Sequence, residues 1–397
     1  MPARWFIWLL VSAILSGPAR AADTPQGDAY VWQRRWTPAV ATAVGAATDL
    51  VHAWRVLVAQ SDARGRLHAV EPDWPVLAAT GRPLVAVIRL DGQSAGWDPV
   101  ALRAAVLVRL QAVPVPLAGI EIDHDCATAA LPAYAGFLAD LRPVLPAGLT
   151  LSITALPTWI GSPALTDVLR RADEAVLQVH AVQSPEAGLF EPVRARQWID
   201  AFAAVTPHPF RVSLPTYGVR VAWGPNGRLR AVESERPLLA GGDGTDLVAA
   251  PRDVAALVAD LAARPPHRFA GLAWFRLPVA TDHRAWTLAT WRAVIGGGPL
   301  AADAQVMTEP ADDAALRLIV LANPGAVDVV RPRLVTLPHG CGAADGAGAY
   351  ALVEAPEGPA LRRRQAGLLR PHARELIGWM RCDAAVAGVP EVPHVGG

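Results

Sequence analysis

The sequence of 397 residues contains no lysine, so all 36 of its strongly basic residues are arginines. This absence excludes sites that need a lysine amine, among them Schiff-base catalysis, a pyridoxal phosphate anchor and the phosphate-binding P-loop. Acidic residues also number 36, so the chain lacks the positive excess that binds nucleic acids. We therefore expect neither a nucleic-acid partner nor a cofactor.

Cysteine is scarce as well, with only Cys126, Cys341 and Cys382 in the chain. In an oxidising compartment an odd count predicts one disulfide and one remaining thiol. Cys341 and Cys382 both lie in the C-terminal part of the chain, and we predict that they pair. Cys126 follows an acidic cluster and is expected to be a small buried residue.

Long apolar runs are also rare, and the most prominent one, residues 5–15, follows Arg4 near the N-terminus. A Gly-Pro pair at 17–18 and the small-x-small triplet at 19–21 complete the pattern of a secretory signal peptide, cleaved after residue 21. The run is short for a membrane span, and an uncleaved anchor is the alternative. We expect a periplasmic or secreted protein with no membrane span after cleavage.

Eight short apolar segments rich in β-branched residues predict strands before residue 298. They are residues 30–35, 54–60, 84–91, 119–123, 149–155, 174–182, 210–215 and 271–277. Helical patterns occupy 98–113, 128–145, 193–205, 253–263 and 285–295. This alternation predicts an α/β fold, a (β/α)8 TIM barrel over residues 22–298, with a doubly wound open sheet as the alternative.

A different pattern follows the glycines at 296–298. Short strands are predicted at 316–321, 333–337, 350–353 and 375–381, with turn residues between them and no clear helix. This pattern indicates a small C-terminal β-sandwich over residues 299–397. The predicted Cys341–Cys382 disulfide would lie within it.

Three carboxylates follow one face of the fourth predicted strand. Residues 119–125 read GIEIDHD, and strand alternation places Glu121, Asp123 and Asp125 on the same side. Mutual repulsion between carboxylates raises the pKa of at least one of them. A raised pKa beside an ionised carboxylate suits a general acid, so we predict these three residues as catalytic.

Arginines offer another interpretation of the same carboxylates. Arg34, Arg89 and Arg276 lie on or after neighbouring predicted strands and could neutralise the acids in a structural network. Arg34 and Arg89 could also clamp an acidic sugar or a phosphate, because a guanidinium forms paired hydrogen bonds with such groups.

The GIEIDHD segment resembles the strand-four signature G-x-D-x-D-x-E of glycoside hydrolase family 18, the chitinase-like barrels. Residues 151–157 are similar to the fifth strand of that family, 213–223 to its Tyr-containing segment after strand seven, and 271–277 to its last strand. The whole chain also resembles an uncharacterised bacterial family, the domain of unknown function 3142, which implies no known activity.

The resemblance to family 18 implies a glycoside hydrolase acting on a polysaccharide, with N-acetylated chains as one class of substrate. Asp125 takes the position of the acid that protonates the leaving oxygen. Asp123 takes the position that orients the substrate acetamido group, which attacks the anomeric carbon. Trp274 corresponds to the tryptophan that forms the floor of the sugar site, and Gln178, His180 and Tyr217 would hydrogen-bond the sugar.

This chain departs from the family at two places. The acid of the family is Glu, whereas Asp125 is one methylene shorter, and the sixth strand reads LQVH at 177–180 where the family has M-x-Y-D. These differences favour an alternative in which the barrel is degenerate and binds carbohydrate without cleaving it.

Tryptophan is abundant relative to other aromatic residues, with 14 Trp, 4 Tyr and 7 Phe. Several tryptophans fall at predicted strand ends, where flat rings can stack on sugars. Together with the polar candidates they give the predicted substrate-binding set: Trp32, Arg34, Arg89, Gln178, His180, Tyr217, Trp274 and Arg276.

Two further motifs give competing interpretations. Residues 92–96 read GQSAG, which matches the nucleophile elbow of a serine hydrolase with Ser94 as nucleophile. A single metal ion held by Asp123, Asp125 and His180 is another possibility, although the chain has no HExxH motif. We predict a site without a metal.

Overall fold

The computed structural model describes residues 27–92, 96–180, 188–224, 229–233, 244–300 and 304–382. The predicted signal peptide and Ser94 of the GQSAG motif lie outside these residues. Within the described ranges, no helix is long and apolar enough to cross a membrane.

The N-terminal part of the protein is a closed parallel barrel. Its strands and those beside it are β1 (Gly27–Val31), β2 (Val51–Ser61), β3 (Leu67–Ala69), β4 (Leu84–Leu90), β5 (Gly119–His124), β6 (Thr150–Ala155), β7 (Glu174–Gln178), β8 (Phe210–Pro215), β9 (Gly218–Trp223), β10 (Leu229–Glu233), β11 (Thr245–Val248) and β12 (Phe269–Phe275). Strands β1, β12, β8, β7, β6, β5, β4 and β2 pair in that order, and β1 pairs in parallel with β2 to close the ring. The predicted (β/α)8 barrel is confirmed, and the open sheet is excluded.

The helices lie between the barrel strands in the sequence. They are α1 (Pro38–Ala47), α2 (Trp74–Ala79), α3 (Pro99–Gln111), α4 (Leu131–Leu141), α5 (Pro163–Leu169), α6 (Pro192–Val205), α7 (Pro251–Ala263) and α8 (Leu288–Ile295). The Asp98 side chain caps α3 by accepting hydrogen bonds from the backbone N–H groups of Val100 and Ala101. Helices α1, α2 and α5 were not predicted, because they are short and rich in Ala and Pro.

Strand alternation separates two apolar layers. Residues such as Ile88, Ile122 and Ile153 point outward into the main core shared with the helices. A smaller cluster, which includes Leu57 and Val176, fills the inside of the barrel. Because each strand presents alternate residues to each side, the inner face is free to carry polar groups without disturbing the main core.

The C-terminal part forms antiparallel sheets. Its strands are β13 (Gln305–Pro310), β14 (Leu316–Ala322), β15 (Val329–Val330), β16 (Leu334–Thr336), β17 (Cys341–Gly346), β18 (Tyr350–Ala355), β19 (Gly358–Arg363), β20 (Leu368–Leu369) and β21 (Arg374–Cys382). The sheet β13-β14-β21-β17 shares one core with the sheet β16-β19-β18, and Ile319, Leu361 and Ile377 are fully buried in it. This is the predicted small β-sandwich.

The predicted disulfide is present in this sandwich. Cys341 and Cys382 are directly paired residues of β17 and β21, with their Cα atoms 4.0 Å apart. Cys126 is a free, buried cysteine. The domain bounds at residues 298 and 299 stay predictions, and they fall between the end of α8 and the start of β13.

Buried hydrogen bonds hold the sandwich against the barrel. The Asp328 carboxylate accepts hydrogen bonds from the Thr287 backbone N–H at 2.6 Å and from the Thr290 hydroxyl at 2.7 Å. From the sandwich side, Arg370 donates to the Ala285 carbonyl at 2.7 Å and to the Asp282 carbonyl at 3.1 Å. The contact therefore reaches the loop that follows β12.

Candidate active site

The carboxyl ends of the barrel strands form an opening that we call the mouth. In TIM barrels, this end of the strands carries the active site. The mouth is defined by Trp32, Arg89, Asp125, His180, Tyr217 and Phe275, each of which lies at or just after the end of its strand.

Strand β5 supplies the carboxylates of the barrel interior. Ile120 and Ile122 point into the outer core. The His124 ring also packs outside the barrel, with its centroid 5.0 Å from that of Tyr134. The opposite face carries Glu121 and Asp123, with Asp125 following at the mouth, as the alternation of the sequence predicts.

Glu121 lies deepest and is enclosed by other side chains. It is fully buried, forms an ion pair with Arg55 of β2 and accepts a 2.7 Å hydrogen bond from the Tyr30 hydroxyl. Arg55 also contacts Asp28 and Glu174, so these groups form one buried charged network. Glu121 is therefore part of a buried charged network that stabilises the barrel. It is fully buried and out of reach of a substrate, whereas the sequence predicted a catalytic role.

Asp123 is nearly buried and its carboxyl favours the protonated form. It is 3% exposed, and burial together with the charge of Asp125 raises its pKa to about 8. The guanidinium of Arg89 acts in the opposite direction on this pKa. The surroundings of Asp123 inside the barrel therefore favour the protonated carboxylic acid.

Asp125 lies beside Asp123 but is open to the mouth. Its side chain is 36% exposed, and an Arg89 guanidinium nitrogen lies 3.7 Å from its Oδ2. Loss of surrounding water raises the pKa of Asp125, while Arg89 opposes the increase. Asp123 and Asp125 each keep a buried Oδ1 that has no hydrogen-bond partner among the described residues. The part of Asp125 that is exposed is the part that a ligand in the mouth would meet.

Aromatic rings line the mouth beside the carboxylates. The rings of Trp32 and Phe275 meet edge to face, with their centroids 5.0 Å apart. The guanidinium of Arg89 lies over Trp32, with its Cζ 5.8 Å from the ring centroid. Tyr217 is half-buried and contacts Phe275 at a centroid distance of 5.3 Å.

His180 lies behind this aromatic surface and is held by protein hydroxyl groups. Its Nε2 is 3.1 Å from Ser213 Oγ, and its Nδ1 is 3.3 Å from the Tyr217 hydroxyl. Burial lowers the pKa of His180 to about 3, so the ring is neutral at physiological pH. The structure therefore places His180 as support for Tyr217, whereas the sequence suggested direct contact with the sugar. Gln178, the last residue of β7, is half-buried.

The prediction for Trp274 is wrong about the side to which its ring points. In β12, Ala273 and Phe275 face the barrel interior, so Trp274 faces the helices. Its ring is 1% exposed, lies 6.1 Å from that of Trp291 on α8 and fills space that a Cβ at Gly27 would enter. Phe275, on the same face of β12 as Ala273, takes the place in the mouth.

Arg34 and Arg276 contact residues at the edge of the mouth. Arg34 Nε donates a 2.8 Å hydrogen bond to Gln60 Oε1. Arg276 is buried, donates to Asp282 Oδ2 at 2.5 Å, and has its Cζ 5.9 Å from the Tyr217 ring centroid. Arg89 pairs with Asp125, and the partner of Glu121 is Arg55.

Two competing interpretations receive little structural support. Among the residues that the structure describes, no three His, Cys, Asp or Glu side chains form a group suited to a metal ion. In the GQSAG segment, a Cβ at Gly92 would lie 2.7 Å from the Asp125 carbonyl oxygen. This close packing against the backbone explains the glycine at position 92 without a role in catalysis. Helix α3 begins only at Pro99, whereas a nucleophile elbow leads directly into its helix.

Solved structures with a similar fold include several polysaccharide-degrading enzymes. The spore cortex-lytic enzyme SleL of Bacillus cereus is 12% identical, with a TM-score of 0.49 over 72% of this chain and 76% of that one. A chitinase from Chromobacterium violaceum is 14% identical, with a TM-score of 0.49 over 70% of this chain and 100% of its own. A class V chitinase from Pseudomonas fluorescens is 14% identical, with a TM-score of 0.47 and coverages of 69% and 99%.

Comparison with protein families gives two matches, whereas comparison with curated proteins gives none. The model of a domain of unknown function, DUF8456, matches residues 306–383, which lie in the sandwich. The model of another domain of unknown function, DUF3142, matches residues 80–280. The second match covers half of the chain and most of the barrel, including β5 and every residue of the mouth except Trp32, and it shows that this protein belongs to the DUF3142 family.

Proposed function

We propose that this protein is an exported glycoside hydrolase that cleaves a polysaccharide, with N-acetylated chains as the preferred class. The observation that carries the proposal is the pair Asp123 and Asp125 in the mouth, two neighbouring carboxyl groups with raised pKa values. A glycosidase needs a carboxylic acid that remains protonated near neutral pH and a second carboxyl group near the same sugar.

The two carboxyl groups differ in ways that suit separate roles. Asp125 is the exposed member, and in our proposal it protonates the oxygen of the bond that breaks. Asp123 is enclosed, and in our proposal an oxygen of its carboxyl accepts a hydrogen bond from the acetamido N–H of the substrate, which leaves the acetamido oxygen free to attack. Contact with the substrate would begin at the exposed part of Asp125, whose side chain is 36% exposed.

The proton balance of the proposed reaction is complete within this pair and water. Asp125 gives its proton to the leaving oxygen, and the substrate acetamido oxygen attacks the anomeric carbon. Water then opens the resulting ring and returns a proton to Asp125. Arg89, 3.7 Å from the carboxylate, stabilises the negative charge that Asp125 carries between the two steps.

The walls of the mouth support a sugar ligand. Phe275 and Tyr217, both half-buried, present ring surface to the mouth, and Tyr217 adds a hydroxyl group. Trp32 is only 4% exposed and packs against Phe275. Sugars combine apolar ring faces with hydroxyl edges, so a surface of this kind suits them. The resemblance of GIEIDHD to the family 18 signature points to the same class of reaction.

Export is supported by two features. The disulfide between Cys341 and Cys382 fits a protein that matures in an oxidising compartment. The pattern of residues 1–21 is that of a signal peptide. We therefore propose a periplasmic or secreted location.

The test compares the wild-type protein with Asp125→Asn, which preserves shape but cannot donate the proton. Both would be incubated with a panel of N-acetylated and other bacterial polysaccharides, and new reducing ends would be measured by mass spectrometry. Loss of a general acid lowers the rate by about a hundredfold or more. The matched control is Asp140→Asn on α4, whose side chain is 63% exposed and should leave activity unchanged.

The alternative of a non-catalytic carbohydrate-binding protein rests on the shorter acid and the altered sixth strand. It predicts that neither protein releases fragments while both bind the same glycans. Equal cleavage by wild type and Asp125→Asn would instead exclude Asp125 as the acid. The serine hydrolase alternative predicts an esterase activity that Ser94→Ala abolishes.

A further inference from the structure

A second cavity of about 580 Å³ lies beside the mouth, between the barrel and the sandwich. The loops after β1 and β12 form its barrel side, together with β11. The sandwich contributes Arg331 and residues 366–368. The cavity therefore exists only because the two parts of the protein are packed together.

Positive charge dominates the lining of this cavity. Five arginines and two aspartates face it, namely Arg34, Arg35, Arg276, Arg284, Arg331, Asp246 and Asp282. A cleft lined mainly by one sign of charge concentrates ligands of the opposite sign. A guanidinium matches the geometry of a carboxylate or a sulfate, which it can bind through two parallel hydrogen bonds.

Acidic partners hold two of the four barrel-side arginines, Arg276 and Arg284, in position. Arg276 donates to Asp282 at 2.5 Å, and Arg284 donates to the buried Glu233 at 2.8 Å. These pairs restrict the guanidinium groups before any ligand arrives, which lowers the entropy lost on binding.

The sandwich side is built in a similar way. Arg331 Nε donates to Glu375 at 2.7 Å, which sets the orientation of its guanidinium. A Cβ at residue 367 would lie 2.0 Å from Arg331 Nη1, so Gly367 leaves the room that this side chain needs. Even when Glu233 and Glu375 are counted with the lining acids, the arginines outnumber the acids.

Residues that line the cavity also contact residues near the mouth. Arg276 lies against the ring of Tyr217, and Arg34 follows Trp32 by two residues and contacts Gln60 at the end of β2. A polymer bound across the mouth would therefore reach these arginines with a neighbouring sugar unit.

We propose that this arginine-lined cavity is a subsite for an anionic substituent, a carboxylate or a sulfate, on the polysaccharide whose adjacent sugar occupies the mouth. The inference rests on the proposed function and narrows its substrate to anionic polysaccharides. In this proposal the cavity binds the anionic substituent, whereas Asp125 takes part in cleavage of the glycosidic bond. Binding and cleavage can therefore be tested separately.

The experiment measures binding by calorimetry in the Asp125→Asn background, where cleavage cannot interfere. The probes are chitohexaose as the neutral chain, a hyaluronan hexasaccharide for carboxylate and 6-O-sulfated chitohexaose for sulfate. At about 50 mM salt, where screening is weak, we expect at least one anionic probe to bind about tenfold more tightly than the neutral one. Added salt should reduce this preference.

Two cavity variants and one control test whether the preference for anionic probes arises in the cavity. Arg35→Glu and Arg331→Ala should each remove most of the preference for the anionic probe. Arg170→Glu should retain it, because this exposed arginine follows α5 at the opposite end of the barrel. Equal binding of neutral and anionic probes, or an equal loss in Arg170→Glu, would overturn the inference.

The outcome also separates this inference from the proposed function. A preference for anionic probes that depends on Arg35 and Arg331 supports the subsite even if the wild-type protein cleaves none of the sugars. Cleavage by the wild type without any preference for anionic chains supports the hydrolase and overturns the subsite.

Discussion

Glu121 and Asp123 lie two residues apart on the same face of β5, yet the groups that surround their carboxyls differ. Glu121 has the Arg55 guanidinium and the Tyr30 hydroxyl as direct partners. For Asp123, burial and the like charge of Asp125 raise the pKa more than the nearby Arg89 lowers it. Burial and a neighbouring like charge both destabilise an ionised carboxylate, so such a group lowers the stability of the folded protein. Groups of this kind are common at active sites.

The raised pKa of Asp123 gives a prediction about the pH dependence of stability. From about pH 4 to about pH 8 the folded state holds a proton that the unfolded state has lost, so the stability of the wild type falls as the pH rises. Asp123→Asn does not titrate, and its advantage over wild type should grow across this range by up to about 1.4 kcal/mol per pH unit. Urea unfolding at several pH values measures the difference.

Asp140→Asn serves as the control, because Asp140 is an exposed carboxylate on α4. Its unfolding free energy should follow that of the wild type at each pH. Parallel curves for Asp123→Asn and wild type would show that Asp123 is already ionised in the folded protein at neutral pH.

Glu121 gives a second prediction at this scale. Glu121→Gln leaves the buried Arg55 guanidinium with less negative charge around it, and we expect a loss of about 3 kcal/mol in the free energy of unfolding. Glu71→Gln removes an exposed partner of Arg109 and should cost less than about 1 kcal/mol. Similar losses in the two variants would contradict the structural role of Glu121.

At the scale of single elements, the two-residue alternation of the strands decides which side chains reach the mouth. For β5 the sequence predicts the inner face correctly, because the three carboxylates distinguish it from the apolar outer face. In β12 every residue from Gly271 to Phe275 is apolar or small, so composition does not distinguish the two faces. The face became clear only from the packing of Trp274 against α8.

The orientation of β12 predicts different effects for adjacent substitutions. Trp274→Ala should lower the free energy of unfolding by about 3–5 kcal/mol through the cavity that it leaves, with little change in KM. Phe275→Ala should raise KM for an oligosaccharide, because it removes part of the surface in the mouth. Urea unfolding and steady-state kinetics on both variants measure these effects, and an increase in KM confined to Trp274→Ala would contradict the orientation.

At the scale of the whole molecule, the sandwich completes a surface that the barrel alone does not have. Asp328 and Arg370 anchor it to the loops around α8, and Arg331 closes the cavity beside the mouth. The sandwich is itself closed by the disulfide, which joins β17 to β21 at the end of its larger sheet. Its stability therefore bears on the geometry of the substrate site.

Removal of the disulfide tests this dependence. The double variant Cys341→Ser and Cys382→Ser should lose about 3–4 kcal/mol of stability, the size expected when a 41-residue separation is no longer bridged. Thermal unfolding should show this loss of stability. Reduction of the disulfide by a thiol reagent in the Cys126→Ser variant should cause a loss of the same size. A variant as stable as the wild type would show that the sandwich does not depend on this bond.

The sequence by itself determined the features that depend on local periodicity. Eight apolar segments alternating with helices specified the barrel, strand alternation placed Glu121, Asp123 and Asp125 on one face, and cysteine position identified the disulfide. Only the tertiary structure decided which arginine meets Glu121, which face of β12 is inside, and which arginines share a cavity. These outcomes depend on sheet closure and on the packing of the sandwich, which bring together residues as distant as Arg55 and Glu121 or Arg34 and Arg331. Local patterns determine the direction of each side chain, but not the residue that it meets.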